Sequence, residues 1–167
     1  MVVPAQLVPA ALAPAALLLR DTLLEELRAL GEGCIIRHLY HHYRGFTATQ
    51  RKMLAKPDAT VKAMLYAYRG LLTGIHVLRA GEIQAPLPTL LEAHPAEGVE
   101  ELIARKRAGA EKAPLSQADL DRHLPALDRL EGALEQAFQD SKLPDEATTR
   151  EGLDDFVVRA RLKLGGR

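Results

Sequence analysis

Between Asp58 and Gly81 the chain carries an apolar stripe, Val61, Leu65, Tyr68, Leu72, Ile75 and Leu78, spaced throughout by three or four residues. At 3.6 residues per turn these side chains stack on one side of a helix, whereas a strand would scatter them over both faces. Asp58 offers an N-cap oxygen and Gly81 a left-handed stop, so the segment predicts a helix over Ala59–Ala80 that forms the core.

The same period recurs along the chain. Asp21 is expected to cap a helix with Leu23, Leu24, Leu27 and Leu30 on one side, ended by Gly31 and Gly33. A second helix is expected from Cys34 to Leu54, with Gly45 as a point of bending and Pro57 beyond its end. Pro86 and Pro88 open a short helix over Thr89–Glu92, and a charged helix over Ala96–Ala110 ends before Pro114. Ser116 and Asp119 have the spacing of a capping box at the head of a long helix to Ser141, kinked at Pro125. A last helix is centred on Leu153, Phe156, Val157 and Leu162. No alternating run is long enough for a strand, so the fold class is all-α, a bundle of about six to seven helices.

Composition agrees, since the 167 residues are 47% hydrophobic but only 4% aromatic, with Leu and Ala in place of strand formers. That length suits one domain, residues 21–167, behind an apolar Ala/Pro arm, residues 1–20. The arm lacks the positive flank of a secretion signal, and Pro4, Pro9 and Pro14 break any membrane helix there. It is instead a candidate surface for oligomer formation. A single cysteine, Cys34, allows no internal disulfide and fits a reducing, cytoplasmic setting, with no membrane association expected.

The formal net charge is zero, but it is unevenly distributed. From Arg37 to Arg79 eight Lys and Arg residues face one acid, Asp58, a local charge of +7, and His38, His41, His42 and His76 lie in the same block. Helical spacing puts Lys62, Tyr66, Arg69, Thr73 and His76 on one edge of the central helix, with His38, His42 and Gly45 aligned on the preceding one. Two such stripes facing one cleft would suit a phosphate-bearing partner, because Lys and Arg neutralise phosphates and Tyr offers a stacking face. The alternative is a solvated face, against which the one-sidedness of the block argues. Cys34, His38 and His42 recur at i, i+4 and i+8, yet the outer pair would lie about 12 Å apart along a helix, too far for one zinc ion. Structural or phosphate-facing histidines are the expectation, with no metal ligands assigned.

His42-Tyr43-Arg44-Gly45-Phe46, the stretch Lys62 to Leu72 with Tyr66 and Arg69, the Ala85-Pro86-Leu87-Pro88 turn and Glu100-Glu101-Leu102-Ile103 with Lys106 and Glu111 occur in a familiar order. With Ser141-Lys142-Leu143-Pro144 and Leu153-Asp154-Asp155, they make residues 21–162 resemble the helical C-terminal part of YcgL-type predicted nucleotidyltransferases of the DNA polymerase beta superfamily. The resemblance implies nucleotide transfer from a nucleoside triphosphate, RNA as a plausible acceptor through RNA repair, and His42, Tyr43, Lys62, Tyr66 and Arg69 as nucleotide- or phosphate-binding residues. It also implies Mg²⁺ with the triphosphate, held by a Gly-Ser and Asp-x-Asp catalytic half.

This sequence contains no Gly-Ser pair, and its one Asp-x-Asp string, Asp119-Leu120-Asp121, sits in a capping turn where acids favour the helix dipole. Asp154-Asp155 likewise reads as a helix-face pair. No catalytic residue is therefore assigned, and the expectation is a nucleotide-binding helical portion, inactive alone, that acts with a separate catalytic domain. A non-catalytic RNA- or protein-binding helical module is the alternative.

Overall fold

The computed structural model describes residues 12–109 and 113–165, with side chains described for 21–109 and 113–163. Among these residues the chain forms seven helices: α1 (Leu12–Glu32), α2 (Leu39–Leu54), α3 (Val61–Ala80), α4 (Leu87–Ala93), α5 (Val99–Arg107), α6 (Gln117–Asp140) and α7 (Arg150–Gly165). No strand occurs among the described residues, and pairing is limited to an isolated antiparallel bridge between Thr60 and Pro114. The all-α expectation holds. The chain divides into two compact units, residues 35–145 with α2 to α6, and residues 1–34 with 146–167, which hold α1 and α7.

In the larger unit α3 is the central helix, packed by α2, α4, α5 and α6. Its stripe residues Val61, Leu65, Tyr68, Leu72, Ile75 and Leu78 are all buried, and so are Met64, Ala67, Leu71 and Val77, so α3 is enclosed over most of its circumference. Gly70 and Gly74 account for the close approach of α2. A Cβ on Gly74 would lie 2.9 Å from Tyr43 Cβ and 2.8 Å from Leu134 Cδ1, and one on Gly70 would lie 2.8 Å from Phe46 Cδ1. Gly81 ends α3 in the left-handed conformation, φ +77°, as its position predicts.

Several boundaries differ from expectation for identifiable reasons. Asp58 is exposed and does not cap α3; Thr60 does, in extended geometry, its hydroxyl accepting from Ala63 N at 3.3 Å. Val61 N meanwhile donates to Ala113 O at 3.0 Å, which fixes the start of the helix at that residue. α2 begins at Leu39 rather than Cys34, because Leu39 N and Tyr40 N close turns onto Ile36 O and Arg37 O. It runs through Gly45, where a helix glycine costs about 1 kcal/mol, less than burial of Tyr40 and Leu54 returns. The Ser116–Asp119 capping box forms with both of its reciprocal bonds, and Pro125 lies inside α6.

In the smaller unit α1 starts at Leu12, so Asp21 lies within the helix rather than at its cap, and the expected arm is helical from residue 12 onward. Residues 1–11 lie outside the described residues. Leu23 and Phe156 are buried here, Thr149 donates to Leu30 O at 2.7 Å, and Arg159 pairs with Glu26 and Asp155. Leu24 and Leu27 of the expected stripe remain exposed. No described helix is long and apolar enough to cross a membrane.

Within the larger core Tyr68 Oη and His123 Nδ1 lie 2.9 Å apart. Burial lowers the imidazole pKa of His123, with Arg122 adding to the effect, and burial pushes the Tyr68 hydroxyl up to about 12. A histidine whose folded pKa lies below its unfolded value takes up protons more readily unfolded, so its contribution is complete above about pH 6.5 and is lost as pH falls through that value. His94, lowered chiefly by burial, acts in the same direction. The melting temperature is thus expected to fall from about pH 7 to about pH 5. The fall should be shallower in His123→Gln; thermal denaturation with the same slope in both proteins would contradict the assignment.

Candidate phosphate-binding site

The polar edge of α3 meets α4 and α5. Thr73, itself buried, donates its hydroxyl to Gln84 O at 3.0 Å and holds the α3–α4 connection back against α3. Leu87, Leu90 and Leu91 then bury α4, and Val99 and Leu102 bury α5. Arg105 forms a two-bonded pair with Asp119 of the α6 cap, 3.0 and 2.9 Å, which pins α5 by its inward cation and turns Lys106 and Arg107 the other way.

What results is a cavity of about 360 Å³. Tyr66 and Arg69 come from α3, the Ala85-Pro86-Leu87-Pro88 turn forms one wall, and Ile103, Lys106 and Arg107 form another. The Tyr66 ring is the focus of its charge: Arg69 Cζ lies 4.4 Å from the ring centroid, Lys106 Nζ 5.9 Å and Lys62 Nζ 6.0 Å. Among the described residues neither Arg69 nor Lys106 nor Arg107 pairs with a carboxylate. Cations gathered on one aromatic ring over an apolar floor can neutralise a phosphate while the ring and prolines pack against a flat group.

Lys62, Tyr66 and Arg69 are thus brought together. His42 and Tyr43 are not among the residues lining this cavity. His42 is exposed with its ring edge-on to Tyr43 at 5.1 Å, and Tyr43 packs where Gly74 leaves room, its hydroxyl pKa raised by burial. This cavity thus lies between α3, α4 and α5 rather than between the α2 and α3 stripes. Helix spacing grouped Lys62, Tyr66 and Arg69 on one edge of α3, but which neighbour covers that edge depends on tertiary packing. Lys106 had a signal in the resemblance, where it follows Glu100-Glu101-Leu102-Ile103; Arg107 had only its charge.

The rest of the basic block is partly neutralised. Arg51 pairs with Asp128 and Glu131 of α6, and Arg37 lies 3.6 Å from Asp145 and 4.7 Å from the Phe138 ring. His38 and His41 stack at 5.7 Å beside Phe138, and His76 meets His94 edge-on at 5.9 Å. Cys34 contacts Leu30 O at 3.6 Å and Thr149 Oγ1 at 3.5 Å. Among the described residues no three His, Cys, Asp or Glu side chains converge as a metal site would require. Asp119 is held by Ser116 N at 2.8 Å and by Arg105, and Asp121 accepts from Gln117, so the Asp-x-Asp string does not fit a Mg²⁺ clamp. Ser116 and Arg105 also hold the Asp119 pKa below the ordinary carboxylate value against an opposing effect of burial.

Comparison with known proteins matches residues 5–159 to the RlaP family, the RNA repair pathway DNA polymerase beta family. An uncharacterized protein, MJ0002, of Methanocaldococcus jannaschii is 32% identical over 62 residues, 36% of this chain and 26% of that protein. The chain thus covers about a quarter of the length of that curated relative. No solved structure matches.

Proposed function

The chain belongs to the RNA repair pathway DNA polymerase beta family, and from that premise we propose that it is the phosphate-binding helical portion of an RNA-repair nucleotidyltransferase. The observation that carries this reading is the convergence of Arg69, Lys106 and Lys62 on the Tyr66 ring beside an apolar cavity. The cations hold the phosphates of a nucleoside triphosphate or of an RNA end, and Tyr66 and the Pro86–Pro88 wall accept a planar group. Their contribution is positioning and charge neutralisation. His42 and Tyr43 belong to the resemblance only and lie outside this cavity, so their role in binding rests on the family pattern alone.

Mg²⁺ enters this reading only with a catalytic domain supplied by another chain or segment, since among the described residues no three His, Cys, Asp or Glu side chains converge on a metal position and Asp119 is committed to its cap and to Arg105. Bound there, the metal would neutralise charge developing on the transferred phosphoryl group. A cytoplasmic location follows from the RNA-repair reading and the single cysteine.

Incubation of the chain with labelled nucleoside triphosphates, Mg²⁺ and an RNA acceptor tests the reading. Label should be retained non-covalently and progressively lost as salt rises, because phosphate contacts release counterions. Metal-dependent incorporation into RNA by this chain alone would refute its dependence on a separate catalytic domain. Salt-independent retention would refute the phosphate contacts.

A further inference from the structure

A second hollow, of about 570 Å³, shares Pro88, Ile103 and Arg107 with the first and continues along α4 and α5 to Glu92 and Glu100. The two hollows have opposite chemistry. One end gathers Arg69 and Lys106 at Tyr66, the other presents carboxylates, and the wall between them is apolar. On α5, Glu100, Ile103 and Arg107 fall at i, i+3 and i+7, so one helix face carries acid, apolar contact and base in that order. Glu100 and Lys106 are six residues apart, about 9 Å of helical rise. That is comparable to the separation of base edge and phosphate in a mononucleotide.

The helix dipole accounts for an acid in the first turn of α5 but not for which way it faces. Glu101 turns to Arg122, 3.0 Å away, whereas Glu100 lines the hollow and, like Glu92, pairs with no cation among the described residues. A carboxylate only accepts hydrogen bonds, so its ligand must present donors. Uracil offers one ring N–H and adenine and cytosine one amino group, but guanine presents a ring N–H and an amino group side by side. These match both oxygens of a carboxylate, as the two donors of an arginine fork do.

Resting on the phosphate-binding reading above, we infer that the groove takes a guanosine nucleotide, phosphates at Arg69 and Lys106 and base edge on Glu100. A carboxylate without a ligand role would instead repel every nucleotide alike.

Titration of the chain with GTP, ITP, UTP and inorganic tripolyphosphate at one fixed salt concentration tests this, with Glu100→Gln beside it. GTP should bind at least about tenfold tighter than UTP, with ITP, which lacks the amino group, between them. Glu100→Gln should weaken GTP about tenfold while leaving UTP unchanged or tighter, since it removes a negative charge. Equal affinity for GTP and UTP, or a variant that weakens both alike, would overturn the guanine assignment. Tripolyphosphate that binds while the bases go undistinguished removes that assignment alone. Failure of tripolyphosphate and all three nucleotides to bind removes the phosphate site itself.

Discussion

Replacing Gly74 by valine is expected to destabilise the protein by about 2–3 kcal/mol, one of the largest effects available to a single surface-neutral change. Gly74 sits within α3, where valine would ordinarily gain a few tenths of a kcal/mol in helix propensity. Here the gain is overridden. A Cβ would stand 2.9 Å from Tyr43 Cβ, an atom fixed to the α2 backbone that cannot swing away, and 2.8 Å from Leu134 Cδ1. Valine adds two methyl groups at that contact, so α2 or α6 must move off the central helix. Gly132 of α6 provides the opposite control, because nothing lies within 4 Å of the Cβ it would carry. Gly132→Ala should therefore stabilise by about 0.5–1 kcal/mol. Thermal or denaturant unfolding of both variants checks the pair; a Gly74→Val protein as stable as the parent would contradict the packing described for α2, α3 and α6.

The same residues show what the sequence made legible. Val61, Leu65, Tyr68, Leu72, Ile75 and Leu78 mark α3 and its core face because period 3.6 is a local property, and Ser116 with Asp119 marks the α6 start because a capping box is closed by its own residues. Asp58 misled because two cap candidates lie two residues apart, and a contact to Ala113, far along the chain, decided for Thr60. Gly70 and Gly74 were silent for a related reason. A glycine in a helix registers locally as a weak point, and only the partner helix turns it into a close contact.

At the site, the one-sided charge between Arg37 and Arg79 pointed to a basic surface, and helix geometry correctly grouped Lys62, Tyr66 and Arg69. It could not weigh Asp128, Glu131 and Asp145, which lie far along the chain yet take up Arg51 and Arg37. Nor could it foresee that α5 would bring Lys106 to Tyr66 while His42 lay elsewhere, since that depends on the Thr73–Gln84 clamp and the Arg105–Asp119 pair. Charge patterning therefore marked a basic surface sooner than the side chains that gather on it.

The second large effect concerns binding. Arg69→Ala combined with Lys106→Ala removes two cations that no carboxylate among the described residues balances, so nothing is left uncompensated in the folded chain. Both side chains are exposed, and the fold should persist with an unchanged melting temperature. A charge-assisted contact is worth up to about 3 kcal/mol, and solvent exposure reduces that here to about 1 kcal/mol for each cation. Together they predict a loss of about 30-fold in affinity for a nucleoside triphosphate. The difference should narrow as salt rises and screens the cations in the parent protein. The decisive measurement is the dissociation constant of a nucleoside triphosphate for the parent chain and for this double variant, taken at the same low salt with folding verified for both. The cation cluster at Tyr66 predicts a loss of about 30-fold, and equal affinity in two equally folded proteins would show that phosphates are not bound there.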